Sequence, residues 1–215
     1  MKTLFGGIAL IIVLGIGGFI YRNALEHPSR TIACPLDAQL CPDGTAVTRT
    51  GLSCTFPACP PPNVTLADLG ISFALPATLQ DAPLADSSAQ FNYDLVTNAS
   101  STASGSVYIY RYPIAASSTA LATIQQTAIT TPSGLPARAT ALTSTALGNY
   151  RFTVVGIERN EGVLITAYYL ARATDVLRFD AVDTDVRNWT DPQLDPTTLP
   201  AHQALRALLS TLQGQ

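Results

Sequence analysis

The 215-residue chain has one lysine, Lys2, and two histidines, His27 and His202. With no lysine in its body, it offers no P-loop, Schiff-base or Ser-x-x-Lys chemistry. Neither histidine stands at a zinc-ligand spacing, so no metal is expected. There is no Gly-x-Ser-x-Gly elbow, and Asp183-Thr184-Asp185 lacks the glycine of an aspartic-protease loop and has no second copy. Charged residues make up 13%, half of the roughly 25% usual in soluble domains. Threonine and serine supply the polar surface instead. A net charge of -3 advertises no surface for a polyanion, and nucleic acid is not an expected partner. The hydrophobic share of 47% is ordinary and argues against a disordered chain.

What is present begins with an apolar run, Leu4 to Ile20, which with Tyr21 reaches the short end of a bilayer span. Lys2 precedes it; Tyr21 and Arg22 close it as an interfacial aromatic and a snorkelling cation. Residues 1–21 read as an uncleaved signal anchor whose partner is the lipid bilayer, through residues 4–21. A cleaved leader and a buried core helix are the other readings of such a run. A polar stalk (22–33) follows.

Cys34, Cys41, Cys54 and Cys59 then cluster in a module spanning 34–60, with no Cys-x-x-Cys pair. An even count behind an anchor predicts two disulfides in an oxidising compartment, with three pairings open. The segment has too few apolar residues to fold without them. Cys41-Pro42-Asp43-Gly44-Thr45, followed by Val47, Arg49, Gly51, Cys54, Phe56 and Cys59-Pro60, resembles a short Cys-rich segment of bacterial envelope proteins, which implies no activity. It is also distantly similar to a Kazal-type inhibitor; that likeness implies that Arg49 is presented to a protease. Pro57, Pro60, Pro61 and Pro62 stiffen the link (61–67) to the remainder.

Residues 68–215 suffice for one full core. Strand patterns fall at 70–76, 91–95, 107–112, 150–158, 163–171 and 176–182, with a weaker, Thr-rich edge strand at 139–147. The run 163–171 is apolar on both faces and should be central and covered on both sides. Helices are expected at 118–129, capped by Ser117 or Ser118 with Leu121, Ile124 and Ala128 inward, and at 200–212, where Leu205, Leu208, Leu209 and Leu212 form a stripe. The expected fold class is α+β: an antiparallel sheet of six or seven strands packed with two helices, preceded by the transmembrane helix and the small disulfide-bonded module. Gly70-Ile71-Ser72-Phe73-Ala74-Leu75-Pro76, the mid-chain helix, the late meander and the closing helix together resemble the PsbP-like fold over about residues 69–213. The resemblance implies a non-enzymatic binding or assembly domain of an anchored envelope protein, and transfers no site residue.

Tyr108, Tyr110 and Tyr112 share one strand face, and Tyr93 is assigned to a neighbouring strand; the four form a possible binding face, set against plain core packing. Asp175, Asp180, Asp183, Asp185, Asp191 and Asp195 read as a solvated acidic stretch, with calcium binding as the weaker reading. His202 reads as a helix boundary residue and Trp189 as a plug at the core edge. With no expected cofactor and no catalytic residues assigned, the sequence points to a membrane-anchored, extracytoplasmic binding or scaffold protein of a bacterial envelope. Its partner is expected to be a protein or envelope polymer. The alternatives are an extracytoplasmic hydrolase using the Asp-rich stretch, and a protease inhibitor using Arg49.

Overall fold

The computed structural model describes residues 16–18, 21–22, 34–41, 46–59, 61–96 and 104–214. The expected anchor and stalk fall almost wholly outside these residues; residues 16–18 and 21–22 are helical. Among the described residues no helix is long and apolar enough to cross a membrane. The chain forms two compact units, one of residues 1–38 and 48–57, the other of 39–47 and 58–215. Each contains one disulfide: Cys34–Cys54 in the first and Cys41–Cys59 in the second. All four cysteines are therefore paired, as their even count predicts. Short strands β1 (Ala38–Leu40) and β2 (Ala46–Thr48) make a two-stranded sheet.

The second unit continues through β3 (Val64–Leu66), β4 (Ile71–Phe73), β5 (Leu79–Asp81), β6 (Phe91–Leu95) and β7 (Ser104–Pro113) to helix α1 (Ala120–Thr127). After the small hairpin β8 (Ile129–Thr130) and β9 (Leu135–Pro136) come β10 (Thr143–Leu147), β11 (Tyr150–Asn160), β12 (Val163–Ala171) and β13 (Asp175–Thr184). Helix α2 (Pro200–Ser210) and β14 (Gln213–Gly214) close the chain. Seven strands form one antiparallel sheet in the order β10-β11-β12-β13-β7-β6-β5. The meander β11-β12-β13 turns at Glu161-Gly162, where both residues have positive φ (49° and 80°), the two-residue geometry that matches strand twist.

The sheet carries a core on each face. Leu205, Leu208 and Leu209 of α2 pack on Val107, Ile109, Phe152, Tyr168, Leu177 and Phe179, while Ile124 and Ala128 at α1 meet Val155, Ile157, Ala167, Tyr169 and Val176. Alternate residues of β12 thus enter opposite cores, and its continuous apolar run is explained by double burial.

Three details depart from the sequence reading. The expected opening strand is not part of the main sheet: β4 pairs with β3 and with the chain end β14 in a three-stranded sheet, and the seventh strand of the large sheet is β5. A three-residue strand carries too little pattern to be read. The cap of α1 is Thr119, whose hydroxyl accepts from the amide of Ala122 at 3.2 Å, one residue past the expected serine. Leu121 faces outward and is 54% exposed, while Ile124 and Ala128 are buried as expected.

Candidate functional site

The four tyrosines do not form one face. Tyr93 lies opposite Val107 in the register of β6 and β7, which places it in the α2-side core, edge-on to Phe73. Burial pushes its phenol up to about 12. Tyr108, Tyr110 and Tyr112 do share the other face, with rings 6.3 and 6.2 Å apart in sequence. Tyr110 is buried, however, and donates to Asp86 at 3.1 Å, while Tyr108 and Tyr112 are half-buried. Between Tyr110 and Tyr169 lies Arg178, bound in two places to Asp180 (2.7 and 2.5 Å) and to the carbonyl of Thr127 at 2.8 Å. Burial alone would lower the pKa of Arg178; the Asp180 carboxylate more than offsets this and holds it above its ordinary value. This layer is largely an internal polar brace.

The aspartate stretch is likewise not a solvated loop. Asp175, Asp180 and Asp183 are on β13 and buried. Asp175 receives Arg111 at 2.6 Å and Arg172 at 2.6 and 2.7 Å. Burial works against its charge, but the two guanidiniums hold its carboxyl below the ordinary carboxylate value. Asp183 accepts the amides of Ala201 at 2.7 Å and His202 at 3.3 Å, so the start of α2 is capped by a residue of the sheet rather than by its own Leu199. Burial pushes Asp183 up to about 6. Arg111 and the two amides bound by Asp183 are distant in the chain, whereas Arg172 and Arg178 stand only three and two residues from the aspartates they pair with, a signal the sequence reading passed over. Asp185, Asp191 and Asp195 are exposed. Among the described residues no group of three His, Cys, Asp or Glu side chains is placed to hold a metal ion.

Arg49 is held rather than presented. Its Nε donates to both oxygens of Asp37 (2.8 and 3.0 Å), another N–H reaches the carbonyl of Cys54 at 3.0 Å, and its guanidinium lies 4.2 Å from the centre of the Phe56 ring.

The side chains that do converge on an open space belong to a groove of about 330 Å³ between the free end of the sheet and α2. Its floor is Thr143 and Thr145 of β10, Val154 and Gly156 of β11, and Thr166 and Tyr168 of β12; its wall is Pro196, Thr197, His202 and Arg206. Two register rows, Thr143-Val154-Tyr168 and Gly156-Thr166, put these floor residues on one side. The ring of His202 stands edge-on to Tyr168, with Nε2 2.5 Å from the phenol oxygen, and Arg206 donates to the same oxygen at 3.2 Å. The phenol and Nε2 share one short hydrogen bond, whose direction follows the imidazole tautomer. Burial, with the positive charge of Arg206 adding to it, pushes His202 down to about 4, and the ring is neutral at pH 7. His202 is 2% exposed, not a boundary residue as its position near the helix start suggested. Sequence reasoning missed the groove because its members come from five elements. The one available signal was Gly156 inside an otherwise β-branched and aromatic strand.

No protein-family model matches this chain, and no curated protein matches it. Among solved structures, a crystal structure from Bacteroides thetaiotaomicron aligns with 68% of this chain at 7% sequence identity and a TM-score of 0.37. This chain spans only 45% of that protein's length, and the likeness defines neither fold family nor function.

Proposed function

We propose that this protein is a non-catalytic binding protein of a bacterial envelope, tethered by residues 4–21 and displaying a PsbP-like domain that holds its ligand in the groove beside α2. The observation that carries the reading is the convergence of Tyr168, His202 and Arg206 with an unfilled floor at Gly156, all on helix and sheet rather than on loops. Sites on such elements are preorganised. Two disulfides in the N-terminal part agree with an oxidising, extracytoplasmic setting. Binding is favoured over hydrolysis because the one histidine at the site is neutral and buried, and its Nε2 is already engaged by the phenol. The three buried aspartates of that stretch, Asp175, Asp180 and Asp183, are engaged as ion-pair partners and a helix cap.

The test uses Gly156→Leu. A Cβ at Gly156 would meet nothing within 4 Å, so a side chain can enter the groove there from an unclashing first carbon. Full-length protein in detergent is incubated with an envelope extract, washed and denatured, and the released small molecules are identified by mass spectrometry. We expect a component retained by the native protein and reduced at least tenfold in Gly156→Leu, at an unchanged melting temperature. Equal retention by both proteins would show that the groove is not the binding site.

A further inference from the structure

The large sheet ends in two edge strands, β5 and β10, and only β5 is protected. The amide of Ala82 donates to the carbonyl of Asn92 at 3.0 Å and that of Val96 to the carbonyl of Thr78 at 2.9 Å, so by alternation Leu79 and Asp81 turn their main-chain groups outward. The Leu79 amide is taken by the carbonyl of Pro76 at 2.9 Å, Asp81 is an exposed charge, and Pro83 follows. Charge and proline are what keeps a sheet from growing at its edge. Around β10 neither occurs: the chain from Leu142 to Tyr150 has no charged residue and no proline. Thr143, Ser144 and Ala146 are exposed, Thr145 and Leu147 half-buried. Past β10 the same side of β11 is covered, because the amide of Thr131 donates to the carbonyl of Ile157 at 2.8 Å.

The hairpin tells which groups of β10 are free. Leu147 and Tyr150 flank the turn Gly148-Asn149, with Gly148 at φ 55°, and such a turn is closed by a pair that exchanges main-chain bonds. Alternation makes Thr145–Phe152 and Thr143–Val154 the next bonded pairs, and the carbonyl of Val154 does face β10, where it accepts the Thr143 hydroxyl at 3.2 Å. Ser144 and Ala146 therefore point N–H and C=O away from the sheet, and none of these groups has a partner among the described residues. A two-fold axis at Thr145 satisfies them all: Ser144 exchanges both bonds with Ala146 of a second copy, and Ala146 with its Ser144. On the axis Thr145 meets Thr145 at the close, non-hydrogen-bonded spacing, and paired threonines are favourable there. A strand of another protein would be selected by side-chain contacts along the edge, and Ser144, Thr145 and Ala146 offer little to read. For a second copy, small uncharged residues that tolerate their own likeness are enough.

We infer that β10 pairs antiparallel with β10 of a second copy of this chain about a two-fold axis at Thr145, joining the two sheets into one. The axis of such a pair stands normal to the sheet, so both α2 helices lie on one face and the two groove floors meet at Thr145. The inference is independent of what the groove binds. Sedimentation equilibrium of the full-length protein in density-matched detergent, over a concentration series, should show a dimer. Thr145→Lys and Thr145→Glu each set like charges against one another on the axis, and each should halve the mass at an unchanged melting temperature. Mixed in equal amounts they bring opposite charges together, and the dimer should return. As a second measurement, Thr145→Cys should give a disulfide-linked dimer on a non-reducing gel and Thr143→Cys should not. A monomeric native protein would overturn the inference. So would a dimer that survives both charged variants, a mixture of the two folded variants that stays monomeric, or equal linkage through both cysteines.

Discussion

Leu208 is fully buried where α2 meets the sheet, among the leucines that repeat at helical spacing. Truncation to alanine removes buried methyl groups and leaves a cavity that a rigid sheet cannot close. Leu208→Ala should therefore destabilise the folded unit by about 2–5 kcal/mol in urea unfolding, and an unchanged midpoint would show that α2 does not pack as described. The same periodicity argument failed at Leu121, because it locates a helix better than it phases one. In α1 the inward face runs through Thr123, Ile124 and Ala128 and leaves Leu121 to solvent. For individual polar residues the sequence was least legible. Asp175, Asp180 and Asp183 look alike in a run of charges; the first two pair with arginines three and two residues away, while the helix-capping role of Asp183 depends on amides 18 and 19 residues on.

At the scale of elements, the start of α2 holds two groups with opposite pH dependence. Asp183, near 6 in the fold against an ordinary 3.8, takes up its proton before the unfolded chain does, so acidification from pH 6 toward 4 stabilises the fold. His202, near 4 in the fold against 6.5, is protonated first in the unfolded chain, so acidification from pH 6.5 toward 4 destabilises it. Each effect is worth at most about 3 kcal/mol, and the two oppose each other. Asp175 does not interfere, because stability from its two arginines is lost only below the ordinary carboxylate range. Urea unfolding between pH 4 and 7 should show Asp183→Asn losing stability on acidification and His202→Gln gaining it. Parallel profiles for the three proteins would refute the balance. The strands of the meander and the leucine helix were legible because each is long enough to show its period. β5 and β14, at three and two residues, were not, and with them went the division into a large and a small sheet.

For the whole molecule, the even cysteine count made two disulfides legible, but their pairing had to come from the fold. Native, unreduced protein should show no alkylatable thiol by mass spectrometry, and it should remain with the membrane fraction through a high-salt wash. Four reactive thiols would overturn the oxidising compartment, and release by salt alone would overturn the tether. The candidate site was the least legible feature. A groove whose floor and wall come from β10, β11, β12, a short turn and α2 is a property of tertiary packing, and no sequence window contains it.

Two glycines outside the groove seat one of its walls. A side-chain carbon on Gly105 of β7 would come within 2.5 Å of the carbonyl of Val182 and 3.0 Å of Ala201 at the first turn of α2; one on Gly148 would come within 2.4 Å of the carbonyl of Ser210 at the last turn. At both ends the chain lies too close to these glycines to admit a side chain, and Leu205, Leu208 and Leu209 fill the space between. A side chain at either glycine would have to displace backbone, so the close seating of α2, which forms one wall of the groove, depends on both.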